Sequence, residues 1–436
     1  MMKNCLLFSM LLLPLVVASQ TKITTYHDRI KGLKNEEYFV LNADSSLIDG
    51  RYLKYNPEGV VIIEGDYVKG KRNGTFFNYY DNGKLQRETI YIDGLRQGET
   101  KVYHPNGNLL QIAVFKNDTL SGQIISYYED EVVKSSTEFK SGKPDGEVVN
   151  YYPSGVKKEV IHYQSGLQDG ATETFYENGT KETEAYYKKG KLDGHFKTYY
   201  PSGTLKTEAY NEAGLQNGTY KTYYANEQLE YAGTYVQGKL SGTANAFFED
   251  GTPSQKLVYK EGSRVGKNYT YHPNGAVKTA TDYSNNEKDR TIEEFNTSGQ
   301  LLSTKTYKED VRSGQWTIYN IADGSFVREN YVDDKLDGKR TTYSSKEIIT
   351  EEADFKNGKQ HGLTRGYHPN KKTAYETYYE YDRKHGSHKA FDKSGDLIEE
   401  GNYVRNLKNG TWKYYDRKGR LEKTVTYKLG KVIKEQ

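Results

Sequence analysis

Cysteine, tryptophan and long apolar segments are scarce in this 436-residue sequence. The single cysteine, Cys5, lies near the start, so removal of the first residues would leave no thiol for a disulfide-linked partner or a thiolate metal site. Beyond Val17, no segment is apolar enough to cross a bilayer as a helix. Hydrophobic residues make up 35% of the chain, which is low for a thick buried core. The composition therefore predicts neither disulfides nor a large globular interior.

The first nineteen residues have the pattern of a cleaved secretory signal peptide. One positive charge, Lys3, precedes an apolar run from Leu6 to Val17, and the small residues Ala18 and Ser19 follow. Cys5 lies inside this run and not after it, which does not support lipoprotein cleavage. We predict that residues 1–19 are a signal peptide and that the protein is exported, to a periplasmic or extracellular location.

The charges of the chain are nearly balanced. Loss of Lys3 reduces the 62 basic residues to 61, against 59 acidic residues, which leaves a formal net charge of +2. Phosphate binding depends on a concentrated basic face. The interspersed charge therefore predicts that nucleic acid is not the main partner.

Glycine recurs every 24 residues along nearly the whole chain. We call these fifteen glycines anchors and number each repeat from its anchor, so that position 5 lies five residues after it. The anchors are Gly50, Gly74, Gly98, Gly122, Gly146, Gly170, Gly194, Gly218, Gly242, Gly266, Gly314, Gly338, Gly362, Gly386 and Gly410. Only Arg290 breaks the row. Such self-similarity is the mark of a tandem-repeat protein.

Position 5 is aromatic in every repeat. The sixteen rings are Tyr55, Tyr79, Tyr103, Tyr127, Tyr151, Phe175, Tyr199, Tyr223, Phe247, Tyr271, Phe295, Tyr319, Tyr343, Tyr367, Phe391 and Tyr415. We predict that anchors and rings, from Gly74 and Tyr79 to Gly218 and Tyr223, form a structural ladder. A second ring stands at position 17 in fifteen repeats and is expected to lie across the anchor glycine.

Two further positions indicate turns. Position 9 is glycine in eleven repeats, as in the segment from His104 to Gly107, and position 20 is always glycine, aspartate or asparagine. These residues adopt a left-handed backbone most easily. Two turns per repeat imply two strands, with position 11 opposite position 5 across a three-residue turn. The expected fold is all-β: an elongated single-layer antiparallel sheet of about sixteen stacked 24-residue β-hairpins.

This pattern divides the chain into three parts. Residues 1–19 are the predicted signal peptide, and residues 20–49, which lack the full repeat, are expected to cap the first strand. Residues 50–436 form the tandem array, and residues 428–436 are expected to cap its last strand. Such caps protect the edges of a sheet from pairing with other chains.

The repeat resembles the bacterial variant of the MORN repeat (membrane occupation and recognition nexus). The clearest match has Gly194, Tyr199, Tyr200, Gly203, Leu205, Gly214, Leu215 and Gly218, and the resemblance extends over residues 50 to 434. It implies an antiparallel sheet of stacked hairpins. Bacterial members of the family are often assigned as antitoxin components of toxin–antitoxin modules, and the name of the repeat records membrane association in other members.

The nine histidines are the candidates for catalysis or metal binding. His104, His272 and His368 share position 6, beside the first turn, so a structural role is expected for them. His361, His385 and His388 form the one candidate metal cluster, but residues 24 apart should lie two strand spacings apart, about 10 Å, and zinc needs its ligands about 2 Å from one ion. We therefore predict no enzyme activity, no metal and no cofactor.

Possible binding residues are fewer. Trp316 and Trp412, the only tryptophans, both stand at position 2 and are candidates for a binding surface. Basic residues at the second turn, such as Lys71 and Lys191, are expected to form a solvated edge that Asp169 and Asp193 neutralise.

The leading interpretation is an exported, non-enzymatic repeat scaffold that binds another protein through its extended sheet. Two alternatives stay open. One is an antitoxin-like neutraliser of a partner toxin, and the other is a binding protein for carbohydrate or a lipid surface in the cell envelope.

Overall fold

The computed structural model describes residues 19–42, 44–285 and 287–436. Nearly all of the predicted signal peptide, residues 1–18, lies outside these ranges. Within them the chain forms 39 β-strands and no helix. Neighbouring strands within each unit pair antiparallel, as Lys71–Tyr79 does with Leu85–Ile92 and Gly266–Tyr271 does with Val277–Asn285. The predicted all-β fold of stacked antiparallel hairpins is confirmed.

The strands fall into two compact units. The first unit extends to Leu205 and includes Asn211–Gly214. Its strands are Gln20–Asp28, Leu33–Leu41, Asp44–Tyr55, Val61–Val68, Lys71–Tyr79, Leu85–Ile92, Leu95–Tyr103, Leu109–Lys116, Thr119–Tyr127, Val133–Lys140, Lys143–Tyr151, Lys157–Gln164, Leu167–Phe175, Lys181–Lys188 and Lys191–Tyr199. The next strand, Leu205–Glu212, has residues assigned to both units.

The second unit contains Lys206–Tyr210 and Leu215–Gln436. Its strands are Leu215–Tyr223, Leu229–Val236, Lys239–Leu240, Gly242–Phe247, Pro253–Lys260, Ser263–Arg264, Gly266–Tyr271, Val277–Asn285, Asp289–Phe295, Leu301–Lys308, Val311–Arg312, Gly314–Tyr319, Phe326–Val332, Lys335–Leu336, Gly338–Tyr343, Ile349–Lys356, Lys359–Tyr367, Thr373–Glu380, Arg383–Phe391, Leu397–Val404, Leu407–Tyr415, Leu421–Lys428 and Lys431–Glu435.

The first turn has the predicted three-residue loop in every repeat except that of Gly314. In a typical repeat, the amide of Tyr80 donates to the carbonyl of Lys84 (2.8 Å) and the amide of Gly83 donates to that of Tyr80 (2.8 Å). Gly83, at position 9, has φ = +79°, which explains the preference for glycine there. Tyr79 pairs with Leu85 across the hairpin, so the predicted pairing of positions 5 and 11 is confirmed.

The second turn has two central residues, both left-handed. Lys189 and Gly190, at positions 19 and 20, have φ of +50° and +77°, and Lys188 pairs with Lys191 around them. Two left-handed central residues define a type I′ turn, whose twist matches that of the strands. Position 20 is left-handed in every repeat whose residue is described, as predicted from its glycine, aspartate or asparagine; Asn286 is outside the described residues.

The anchor glycines have a conformational role that the sequence did not show. Across the second turn, Thr89 pairs with Thr100 and Tyr91 with Arg96, so three residues that include the anchor Gly98 lie opposite one residue, Ile90. All fifteen anchors have positive φ, because this bulge requires a left-handed backbone. On its other side each anchor pairs with position 17, as Gly98 does with Phe115, which confirms the predicted register.

Arg290 replaces glycine because its repeat has no such bulge. Arg290 pairs directly with Tyr283, and Asn285 pairs with Asp289, so the second turn of this repeat is longer and lies between Asn285 and Asp289. Arg290 is not among the left-handed residues. A side chain is therefore accepted at this anchor without backbone strain.

Residues outside the regular repeats continue the same strand pattern. Gln20–Asp28 pairs with Leu33–Leu41, which pairs with Asp44–Tyr55. Lys431–Glu435 pairs with Leu421–Lys428. Both predicted caps therefore consist of strands, and their protective role remains a prediction.

Candidate functional site

One face of the sheet, which we call the packed face, carries positions 2, 15 and 17. Phe76 at position 2 pairs with Thr89 at position 15, and both side chains are buried. Rings follow one another along the face: Tyr67 lies 5.4 Å from Phe76, which lies 5.3 Å from Tyr91, in edge-to-face contacts. Such contacts add to the burial of apolar area. The core of each unit is this line of side chains.

Both tryptophans belong to the packed face. Trp316 is 7% exposed and Trp412 is fully buried, so the prediction that they form a binding surface is wrong. The indole Nε1 of Trp412 donates to the carbonyl of Asn402 (3.1 Å), and a Cβ added at Gly401 would overlap the indole ring. Position 2 faces inward because strand residues alternate between the two faces, and the rings at position 5 lie on the other face.

Basic side chains cover the rings of the packed face. They stand two residues before an anchor: Arg96 lies 4.0 Å over Phe115, Arg312 lies 4.7 Å over Tyr331, and Lys408 lies 3.7 Å over Trp412. A cation over an aromatic face is attracted by the ring electrons. Arginine or lysine recurs at this spacing in several repeats, a signal in the sequence that the predictions above do not include.

The tyrosines at position 5 are bound to glutamates at position 14 of the preceding repeat. The hydroxyl of Tyr103 donates to Glu88 (3.1 Å), that of Tyr367 to Glu352 (2.7 Å) and that of Tyr415 to Glu400 (2.9 Å). The ladder residues Tyr79 and Tyr199 donate to Glu64 and Glu184 in the same way. Tyr127, Tyr151 and Tyr223 pair with position 11 across their hairpins. The ladder rings therefore hold neighbouring strands together.

The hydrogen-bonded pair of Tyr55 and Glu37 predicts how the stability of the fold depends on pH. Burial raises the pKa of Tyr55 from 10.0 to about 12, and the hydrogen bond to the carboxylate of Glu37 contributes to this shift. The hydrogen bond from Tyr55, with Lys34, lowers the pKa of Glu37 from 4.5 to about 2. The stabilisation that comes from the raised pKa of Tyr55 is fully present below pH 10 and is lost as the pH rises to about 12. The stabilisation that comes from the lowered pKa of Glu37 is fully present above pH 4.5 and is lost as the pH falls towards 2.

We therefore expect the melting temperature to be highest between these limits and to fall on both sides. Burial also raises the pKa of Tyr231 to about 12, which adds to the alkaline loss. Circular dichroism melts over the whole pH range would check this, with phenolate absorbance recorded in parallel. A melting temperature that stays constant while the tyrosines ionise would contradict the assignment.

Tyrosine or histidine at position 6 connects several repeats to the next along the first turns. The hydroxyl of Tyr80 donates to the carbonyl of Tyr103 (2.7 Å). His272 and His368 place Nε2 at 3.0 and 2.9 Å from the equivalent carbonyls of Phe295 and Phe391. These contacts fit the structural role expected for the histidines. In His104 the buried Nε2 has no hydrogen-bond partner among the described residues.

Replacing His104 by tyrosine should therefore stabilise the first unit by about 1 kcal/mol, because its hydroxyl can reach the carbonyl of Tyr127 and a buried polar atom without a partner is removed. His272→Ala is the matched control and should cost a similar amount. Urea unfolding of both variants would measure this. A loss of stability in His104→Tyr would show that the pocket at position 6 does not accept tyrosine there.

The acidic residues next to the anchors have a structural task. The carboxylate of Asp169 accepts the amide hydrogen of Lys189 (3.0 Å), and that of Asp193 accepts the amide hydrogen of Ala213 (3.2 Å). The amide of Gly94 donates to the carbonyl of Arg72 (2.9 Å). Successive second turns are thus hydrogen-bonded to one another. The aspartates expected to neutralise a basic edge bind backbone groups.

The three histidines of the candidate metal cluster have separate partners. His361 contacts the ring of Tyr381 (4.8 Å), and His385 lies 3.7 Å from the carboxylate of Glu380. His388 contacts Thr377 through Nδ1 (2.7 Å) and Glu399 through Nε2 (3.3 Å). No group of three potential metal ligands occurs in the described part of the chain.

The contacts of His388 have the residue types of a hydrolytic triad, but they lie inside the packed face. Thr377 is only 1% exposed, so its hydroxyl cannot reach a substrate. The hydrogen bond to His388 contributes most to a lowered pKa of Glu399, and Lys408 adds to it. The group is a buried polar network that fixes neighbouring strands.

The other face, which we call the open face, carries positions 1, 3, 14 and 16. In the second unit its centre has alternating charges: Arg365 pairs with Glu376 (2.6 Å), and Lys413 pairs with Glu400 (3.2 Å). These side chains are partly or largely exposed. Exposed ion pairs contribute only about 0.2–1 kcal/mol each. Charged groups of a partner can therefore replace them at low cost.

No helix in the described ranges is long and apolar enough to span a bilayer. The family model described as MORN repeat variant matches eight segments, which occur in both units. They are residues 72–93, 96–117, 144–165, 168–189, 192–210, 216–237, 384–405 and 408–429. No curated protein matches the chain.

Three similar solved structures have low sequence identity to this chain. The crystal structure of TcdB2-TccC3-Cdc42 is 10% identical with a TM-score of 0.13, and the Tc holotoxin pore of Photorhabdus luminescens is 11% identical with a TM-score of 0.15. The matches cover 93% of this chain but 27% and 23% of those chains. A eukaryotic initiation factor is 13% identical with a TM-score of 0.15, over 81% of this chain and 87% of that one.

Proposed function

We propose that this chain, a MORN-repeat protein, is a non-enzymatic scaffold that binds another protein along the open face of its sheet. The observation that supports this is the difference between the two faces. On the packed face, rings, cations and buried polar groups contact one another. On the open face, each strand presents exposed side chains, such as Glu99, Glu147 and Lys267 at position 1.

A repeated face of this kind suits an extended partner. Neighbouring strands lie about 4.8 Å apart, so charged and aromatic groups recur at a constant step within each unit. The alternating charges around Arg365, Glu376 and Lys413 can contact complementary charges of a partner in sequence. Electrostatic complementarity of this type favours specificity and fast association.

We propose further that the protein acts outside the cytoplasm. The apolar run from Leu6 to Val17 and the small residues after it support export. The partner would then be a protein of the periplasm, the cell surface or the medium.

Crosslinking in intact cells, followed by identification of the attached molecule, tests this function. Lys389→Glu with Lys413→Glu should remove the crosslinked protein, because it reverses two exposed charges of the open face. Lys71→Glu, at an exposed second turn, is the matched control and should retain it. Binding to polysaccharide or liposomes without a protein partner would instead support the carbohydrate or lipid alternative. Neutralisation of a toxin by protein lacking residues 1–19 would support the antitoxin alternative.

A further inference from the structure

The open face of the second unit contains a recess of about 760 Å³. The rings of Tyr269 and Phe295 line it, together with the side chains of Val277 and Ala280. These four residues are half-buried. Ligand sites in proteins have volumes of roughly 300–1,000 Å³ and mostly apolar walls. The recess therefore has the size and lining needed to hold a large apolar side chain.

The recess coincides with a coordinated change in the repeat. At this register several repeats have a tyrosine bound to a glutamate, as in Tyr103 and Glu88. Here position 14 is Ala280 and position 5 of the next repeat is Phe295. Ala232 and Phe247 are a second pair that lacks these polar groups. The hydroxyl and the carboxylate are both missing, so no polar group is left without its partner. What remains is space above the methyl group of Ala280.

Charged groups stand at the rim of the recess. Asp282 and Glu293 are exposed and lie on adjacent strands, since Asp282 pairs with Thr291 and Ala280 pairs with Glu293. Such diagonal neighbours are about 7–8 Å apart, close enough for one cation to contact both carboxylates. Lys267 stands opposite Asp282 on the other side. None of these three forms an ion pair within the ranges that the structure describes.

We propose that this recess receives a large apolar side chain of a partner polypeptide, and that Asp282 and Glu293 bind a basic residue next to it. The proposal rests on the proposed function and names the class of segment that the scaffold recognises. The apolar side chain gains burial against Tyr269, Ala280 and Phe295. The neighbouring lysine or arginine gains two carboxylates that have no competing cation in contact.

A peptide titration tests the proposal with the full exported chain. The probe is a fluorescent peptide with tryptophan flanked by arginines. Two control peptides have either glutamates in place of the arginines or serine in place of the tryptophan. Fluorescence anisotropy should show binding of the first peptide and at least about tenfold weaker binding of both controls. Equal binding of all three peptides, or no binding of the first up to millimolar concentration, would overturn the proposal.

Three variants locate the binding. Ala280→Glu with Phe295→Tyr restores the regular tyrosine–glutamate pair and should fill the recess without disturbing the fold. It should weaken the peptide by at least about tenfold. Ala232→Glu with Phe247→Tyr makes the same change at the same register elsewhere in the second unit, and should leave affinity within about twofold. Glu293→Lys alters only an exposed rim residue, and should weaken the peptide even if the double variant is unstable.

The same variants separate this proposal from the proposed function. If the wild-type protein crosslinks a protein in cells and Ala280→Glu with Phe295→Tyr crosslinks it equally, the scaffold function stands and the recess proposal is overturned. If no protein is crosslinked but the peptide titration gives the expected order, the recess proposal stands and the assigned scaffold function fails.

Discussion

Replacing Trp412 by alanine is expected to lower the free energy of unfolding of the surrounding repeats by about 3–5 kcal/mol. The indole is fully buried and lies 5.0 Å from the ring of Tyr403. Lys408 covers it at 3.7 Å. Alanine would leave a cavity beside Gly401, and the carbonyl of Asn402 would lose its indole donor. Urea unfolding followed by circular dichroism measures the loss.

The adjacent residue provides a matched control. Lys413 stands on the open face and its only strong contact is an ion pair with Glu400. Lys413→Ala should therefore change stability by no more than about 0.5–1 kcal/mol. If Trp412→Ala were as mild as Lys413→Ala, the packed face would not be the core of this unit.

The loss should also be local. In repeat proteins each repeat contacts only its neighbours, so stability is nearly a sum of terms from single repeats and their interfaces. Hydrogen exchange in Trp412→Ala should accelerate most in Leu397–Val404, Leu407–Tyr415 and Leu421–Lys428. The strands around Trp316, four repeats away, should keep most of their protection. Uniform acceleration throughout the unit would contradict this local account.

The sequence predicted the turns well because few residues tolerate a left-handed backbone. The alternatives to glycine at position 20, such as Asp118 and Asn406, have φ of +62° and +75°. Their residue types already indicated that geometry. The constant 24-residue step then fixed the pairing of Tyr79 with Leu85 and of Gly98 with Phe115. Local backbone preference and periodicity were sufficient for the hairpins.

The sequence did not show which face each side chain occupies. Trp412 was interpreted as a surface residue because only two tryptophans occur, and a rare aromatic in a polar sequence resembles a binding residue. The strand pleat places position 2 on the face opposite to the ring at position 5. Gly401 at position 15 was the missing indicator for Trp412, because a Cβ at this residue would overlap the indole ring.

In the irregular repeats, the sequence did not show whether additional residues lie in a bulge or in a turn. Arg290 was visible as an exception, but the transfer of residues from the bulge to the turn between Asn285 and Asp289 was not. At the first turn, the repeat of Gly314 makes a similar change: Tyr319 pairs with Phe326 without a register shift, and the loop between them is longer. In both repeats the period of 24 is retained because residues leave a bulge and enter a turn.

Gly146→Ala is the second substitution expected to have a large effect, with a loss of about 2–3 kcal/mol in the first unit. Gly146 has φ = +124°, which a residue with a Cβ rarely adopts. The added Cβ would also lie 2.6 Å from the carboxylate of Glu138, whose side chain would have to move. Thermal unfolding followed by circular dichroism should show a clear decrease in the melting temperature.

Arg290→Ala separates the backbone effect from the loss of a side chain. Arg290 has no left-handed backbone, so alanine there introduces no strain and removes side-chain contacts alone. These are the ion pair with Asp310, the hydrogen bonds to the carbonyls of Glu287 and Lys288, and the contact with Tyr307. The expected loss is about 1 kcal/mol, because Asp310 is largely exposed. Hence Gly146→Ala should cost clearly more than Arg290→Ala, although it deletes no contact. If the two losses were equal, the bulge would not be the reason for glycine at the anchors, and the periodic glycines would need a different physical explanation.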